Sequence, residues 1–150
     1  MPRFHYEDFV EGSVESFGSR VVTREEIVAF AAEFDPQPMH LDEAAARRSP
    51  LGGLAASGWH SCAIMMRLIA DGFILESSCM GSPGVEELKW LQPVYAGDTI
   101  SYASEVLDKR PLASRPGWGM LVMRNTGTNQ DGALVFEFEG AIFVERRSDP

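Results

Sequence analysis

The chain has 150 residues, 45% hydrophobic and 23% charged, and its 13 basic against 22 acidic side chains give a formal charge of −9. This suits one globular domain that buries roughly 70% of its unfolded surface, and it excludes a collagen, a disulfide scaffold or a disordered tail. The acidic balance argues against a partner bound through phosphates, so DNA or RNA is not expected, and anionic membrane surfaces attract basic segments instead.

The opening MPRFHYEDFVEG carries acids and no apolar run, which does not read as a signal peptide. Ser13 to Val22 is a first strand with weak alternation. Thr23-Arg24-Glu25-Glu26 is a capping box that opens a helix. Along that helix Ile27, Phe30, Ala31 and Phe34 recur at helical spacing and are expected to face the core. Pro36 and Pro38 end it, since proline lacks an N–H and restricts the preceding residue. Asp42 caps a short helix from Glu43 to Arg48, and Ser49 to Gly53 is a loop. The longest helix is expected from Gly58 to about Glu76, with Ile64, Met65, Leu68, Ile69, Phe73 and Leu75 on a wide apolar face. Its stretch from Ala63 to Leu75 is broken by Arg67 and Asp71, too short and polar to span a bilayer.

The second half reads as strands: Val85–Leu91, Asp98–Leu107, Met120–Thr128 and Leu134–Val144, with Asp131-Gly132 as a hairpin signal. Helices first and antiparallel strands after is an α+β order, best solved as one curved antiparallel sheet wrapped around the long helix. No repeat or linker divides the chain, so residues 1–150 form one domain. Cys62 and Cys79 make no CxxC pattern, and the cysteine usage fits a reducing compartment; a cytoplasmic location is the expectation.

Three stretches carry possible chemistry. Asp35-Pro36-Gln37-Pro38-Met39-His40 sets a carboxylate and an imidazole five positions apart with two prolines between. A stiff segment of this kind can bring two proton carriers to one reacting atom, as acid–base chemistry requires; the plain alternative is a proline turn with a surface histidine. In Ala56-Ser57-Gly58-Trp59-His60, the glycine at a helix start gives access to free N–H groups that favour developing negative charge. It equally fits close packing. His60 reads as a hydrogen-bonded core or interface histidine, and Trp59 as packing. Leu91-Gln92-Pro93-Val94-Tyr95-Ala96-Gly97-Asp98 by itself marks a strand junction. The histidines His5, His40 and His60 make no metal pattern, and no GxGxxG, GxxxxGK[ST] or GxSxG motif occurs.

Together, DPQPMH, the following LDEAAARRSPLGGLAASGWH and the later LQPVYAGD resemble the MaoC-like family of hot-dog-fold dehydratases and R-specific enoyl-CoA hydratases. Asp35, Pro38 and His40 match that family's aspartate–histidine pattern, Gly58 its helix-start glycine, and Pro93, Val94, Gly97 and Asp98 its PVxxGD junction. The resemblance implies a hot-dog fold, a homodimer or larger assembly of such units, and reversible hydration of a trans-2-enoyl thioester to the (R)-3-hydroxyacyl thioester. It implies Asp35 as the base toward water, His40 as the group that orients water and handles the α-carbon proton, and Gly58 N–H as holder of the thioester oxygen. No cofactor is implied beyond coenzyme A within the substrate. Family hydratases usually carry glycine before the aspartate, asparagine two after it, and often histidine before the helix-start glycine; here these are Phe34, Gln37 and Ser57. With Trp59 they are the expected pocket residues. Arg47, Arg48 and Lys89 are the candidates for the coenzyme A phosphates, and the acidic chain favours coenzyme A over an acidic carrier protein. Two alternatives stay open: a hot-dog thioesterase using Asp71 or Glu76, and a catalytically silent acyl-thioester-binding subunit.

Overall fold

A computed structural model describes residues 1–148. Five strands form a single antiparallel sheet: β1 (Val14–Val21), β2 (Val85–Trp90), β3 (Thr99–Leu112), β4 (Arg115–Thr128) and β5 (Leu134–Glu145), in the spatial order β1-β3-β4-β5-β2. Four helices precede β2: α1 (Arg24–Phe34), α2 (Pro38–Leu41), α3 (Glu43–Arg48) and α4 (Gly58–Gly72). Ile64, Met65 and Ile69 of α4 pack with Ile100, Tyr102, Leu121, Met123, Val135 and Phe136 of the sheet in one hydrophobic core. This is the hot-dog arrangement of a helix held against an antiparallel sheet.

The elements follow from their residues, with four refinements. In β1 the alternation is weak because the strand bulges: its register against β3 shifts between Ser16 and Ser19, Gly18 takes φ +82°, and Phe17 turns toward Phe73. The α-helical part of α4 stops at Gly72, four residues before the expected end, and Ile74–Glu76 form a 3-10 turn. A Cβ at Gly72 would overlap the Phe17 ring, so glycine is needed there, and Leu75 is exposed instead of facing the core.

The third concerns α1, whose capping box forms as read, with Glu26 N–H on Thr23 Oγ1 and Thr23 N–H on Glu26 Oε1. Its buried stripe is Ile27 and Ala31. Four residues further the same stripe reaches Asp35, not Phe34. Phe34 is therefore 65% exposed, its ring tilted against that of Phe30 at 5.1 Å. Fourth, β3 and β4 extend well past Leu107 and before Met120, pairing as far as Leu112 with Arg115. That outer hairpin is mostly exposed, so no apolar alternation marks it.

An N-terminal strap closes one end of the sheet. Lys109 Nζ donates to Tyr6 O at 2.9 Å and Phe9 O at 2.7 Å and lies 4.2 Å from the Tyr6 ring centroid. Tyr6 covers Gly119 so closely that a Cβ there would overlap its ring.

Candidate active site

Asp35 ends α1 as its C-cap, in line with the buried stripe, so its carboxylate points inward. The segment after it is not wholly irregular: Pro38 takes the first position of α2, where its missing N–H costs nothing, and His40 sits on that single helical turn. His40 is buried. Its Nδ1 lies 2.7 Å from Ala55 O. A carbonyl only accepts, so Nδ1 carries the hydrogen and Nε2 of the neutral ring presents a lone pair. That Nε2 stands 3.6 Å from Asp35 Oδ2.

Two further side chains hold the carboxylate. Ser57 Oγ donates to Asp35 Oδ2 at 2.7 Å, and Gln37 Nε2 donates to Asp35 Oδ1 at 2.7 Å. These hydrogen bonds, the serine's first, outweigh desolvation and hold the carboxyl below its ordinary range, and a protonated His40 would act in the same direction. Gln37 and Ser57 are two of the three residues at which the chain departs from the family pattern, and both are bound to the aspartate.

The loop that delivers Ala55, Ser57 and Gly58 is fixed by the LQPVYAGD junction, which sequence alone reads as punctuation. Ala56 N–H donates to Val94 O, Ala96 N–H to Leu54 O, and Tyr95 OH to Leu51 O. Gly97 turns with φ +91°, and Asp98 Oδ2 accepts from Tyr95 N–H. The junction thus places the carbonyl that sets the His40 tautomer, a link with no local signal in the sequence.

Gly58 opens α4. Among the described residues neither its N–H nor that of Trp59 has a hydrogen-bond partner, as expected for the first turn of a helix. Close packing is real here as well: a Cβ on Gly58 would overlap the indole of Trp90. Trp90, missed in the sequence, meets Trp59 edge to face at 5.2 Å. A cavity of about 370 Å³ gathers these groups; Asp35, Gln37, His40, Ser57, Gly58, Trp59 and Trp90 all line it. One wall holds two proton acceptors and free N–H donors, which is equipment for moving a proton while stabilising a developing oxyanion.

Four expected site residues stand elsewhere. Phe34 lies outside the cavity lining for the helical reason given above. Lys89 alternates with Trp90 along β2, which sends it to the other face, and it pairs with Glu87 at 3.4 Å. Arg47 and Arg48 are exposed at the end of α3 and do not line the cavity. Asp71 pairs with Arg67 at 2.8 Å and Glu76 with Arg3 at 3.3 Å; both are exposed and neither lines the cavity. His60 is 5% exposed and stacks at 4.7 Å on Phe30, but its Nδ1 has no hydrogen-bond partner, contrary to the expected bonded core histidine. Cys62 is half-buried and Cys79 buried, and both are free. Among the described residues no cluster of metal-binding side chains occurs, and no helix is long and apolar enough to cross a membrane.

A carboxylate–imidazole pair beside the start of a helix packed on an antiparallel sheet makes a candidate acid–base site on a hot-dog frame. The chain belongs to the MaoC-like domain family, whose model matches residues 8–117. A MaoC-like dehydratase from Rhodospirillum rubrum has a TM-score of 0.90 and 38% identity, across 97% of this chain and 99% of that one. The uncharacterized protein YdeM of Bacillus subtilis is 35% identical over 141 residues, 93% of this chain and 98% of its own. An R-hydratase from Pseudomonas aeruginosa shares the fold, with a TM-score of 0.72 and 24% identity over 98% of this chain and 94% of its own.

Proposed function

We propose that the chain adds water reversibly across the 2,3 double bond of a trans-2-enoyl-CoA, giving the (R)-3-hydroxyacyl-CoA. The observation that carries this reading is the approach of Asp35 Oδ2 and His40 Nε2 to 3.6 Å on the wall of the cavity that Gly58 also lines.

In the hydration direction one water donates to both acceptors. Its oxygen bonds to C3 while one of its protons passes to the Asp35–His40 pair. The π electrons of C2=C3 move through the thioester onto its oxygen, where Gly58 N–H holds the enolate charge. The pair then returns one proton to C2 and the carbonyl re-forms. H and OH have been added and the pair is unchanged. The proton belongs to the pair as a unit, because two coupled groups titrate together.

Coenzyme A is part of the substrate, and no separate cofactor takes part. Arg47 and Arg48 stand shortly before Leu51, which lines the cavity, and are the cations proposed to meet the phosphates. A second copy is the proposed partner: β2 is an edge strand, and Val85, Trp90 and Leu91 with Trp59 and Met66 of α4 are large exposed apolar side chains. The cytoplasm, where acyl-CoA is available, is the proposed location.

Crotonyl-CoA and longer trans-2-enoyl-CoAs test the reading. Loss of the conjugated absorbance without release of free thiol is the expected result. Thiol release would instead establish a thioesterase, and tight binding with neither change a silent acyl-thioester-binding subunit.

A further inference from the structure

A second cavity, also about 370 Å³ and strongly apolar, lies against the far half of α4 between Met66 and Ile69 on the helix and Val85 and Phe138 on the sheet. Gly58, Cys62 and Met66 succeed one another at four-residue spacing, so they share one helix face. Gly58 lines the catalytic cavity, and Met66, about 12 Å further along the helix, lines the second. The indole of Trp90 rests on Gly58, at the catalytic end of this face. It lines the first cavity only.

A thioester bound as proposed above puts its oxygen at Gly58 and its coenzyme A arm toward solvent. The acyl tail then runs on from C3, and the α4 face that leads from Gly58 toward the second cavity is the one Trp90 covers. We propose that Trp90 is the acyl-length stop of this site: its indole closes the catalytic cavity against the apolar cavity beyond, restricting the enzyme to short-chain 2-enoyl thioesters. The inference rests on the hydratase reading for the placement of the thioester. It goes beyond that reading in naming the substrate class and the residue that selects it.

The test compares kcat/KM for crotonyl-CoA and the six-, eight- and ten-carbon trans-2-enoyl-CoAs in the wild type, Trp90→Ala and Trp90→Phe. Calorimetric binding of the saturated acyl-CoAs of the same lengths runs alongside, with light scattering to check assembly. The wild type is expected to lose about tenfold or more between four and ten carbons, and Trp90→Ala to raise the ten-to-four ratio by about tenfold, the value of about one methylene seated in an apolar pocket. Trp90→Phe is expected to raise it by about threefold, and it carries the test if the alanine variant does not fold. A wild type that turns over ten carbons as well as four, or an unchanged ratio in a folded variant, overturns the proposal. If no length is hydrated but binding shows the same length profile and the same response to Trp90, the stop stands and the hydratase reading falls. No binding of any acyl-CoA sinks both.

Discussion

Ser57 Oγ donates to Asp35 Oδ2 at 2.7 Å, the same oxygen that faces His40 Nε2 at 3.6 Å. The serine lies 22 residues beyond the aspartate and comes to it on the loop that the Val94–Ala96 backbone holds in place. On the proposed reading Ser57 is a positioning residue: its hydrogen bond aims the carboxylate and favours the ionised form. Ser57→Ala is expected to lower the hydration rate about tenfold, the value of a hydrogen bond to a charged group. It is also expected to move the acid limb of the pH–rate profile upward, because the bond holds the carboxyl low. A purely structural serine would leave that limb where it is.

Asp35→Asn and His40→Gln each remove one proton carrier without changing the packing volume greatly. Each is expected to cost about 100-fold or more in kcat with the thermal transition intact. Turnover near that of the wild type in either variant would remove that residue from the mechanism.

Gly58→Ala sets a Cβ into the Trp90 ring. Overpacking of this kind costs about 1–2 kcal/mol. The same substitution in a Trp90→Ala background is expected to be nearly free, and denaturant titration of the four proteins reads the coupling directly. Additive losses would mean that the two residues do not share the space.

Acid stability tests His60. Burial, its largest influence, pushes its pKa below the ordinary value of 6.5, with Glu26 acting upward and Arg20 downward to a smaller extent. A histidine kept neutral by the fold contributes stability that is complete above the unfolded pKa and is lost as pH falls toward the folded one. Unfolding free energy should therefore decline as the pH drops below about 6.5, and His60→Gln should flatten that part of the curve. Asp35, also lowered, acts in a separate window beneath its ordinary 3.8.

Lys109→Met removes both hydrogen bonds from the lysine to the N-terminal strap. The expected cost is about 2 kcal/mol, with faster amide exchange in residues 4–12 than in the sheet. Uniform acceleration across the chain would show that the strap is not a separate unit.

The pairing of Asp35 with His40 was legible as one of two readings: two prolines leave few backbone paths between residues five apart, a proline turn with a surface histidine fits the same segment, and the family resemblance favours the pair. The helix from Gly58 and the four later strands were legible from hydrophobic period. What failed did so for local reasons. The outer β3–β4 hairpin carries no apolar face to read, and the aromatic Phe34 beside Asp35 masks the α1 stripe, whose next member after Ile27 and Ala31 is the polar Asp35. Trp90 gives no signal in the sequence because a tryptophan at the end of a strand has no chemical pattern of its own.

The order of elements, the antiparallel sheet and the acid–imidazole segment were thus set by periodicity and proline stiffness, which act between near neighbours. The tautomer of His40, the hydrogen bonds of Ser57 and Gln37 to Asp35, and the seat of Trp90 on Gly58 came only with the tertiary structure. Ala55, Ser57 and Trp90 reach their partners across 15 to 32 residues of chain, and only the packed sheet and α4 bring them within bonding distance.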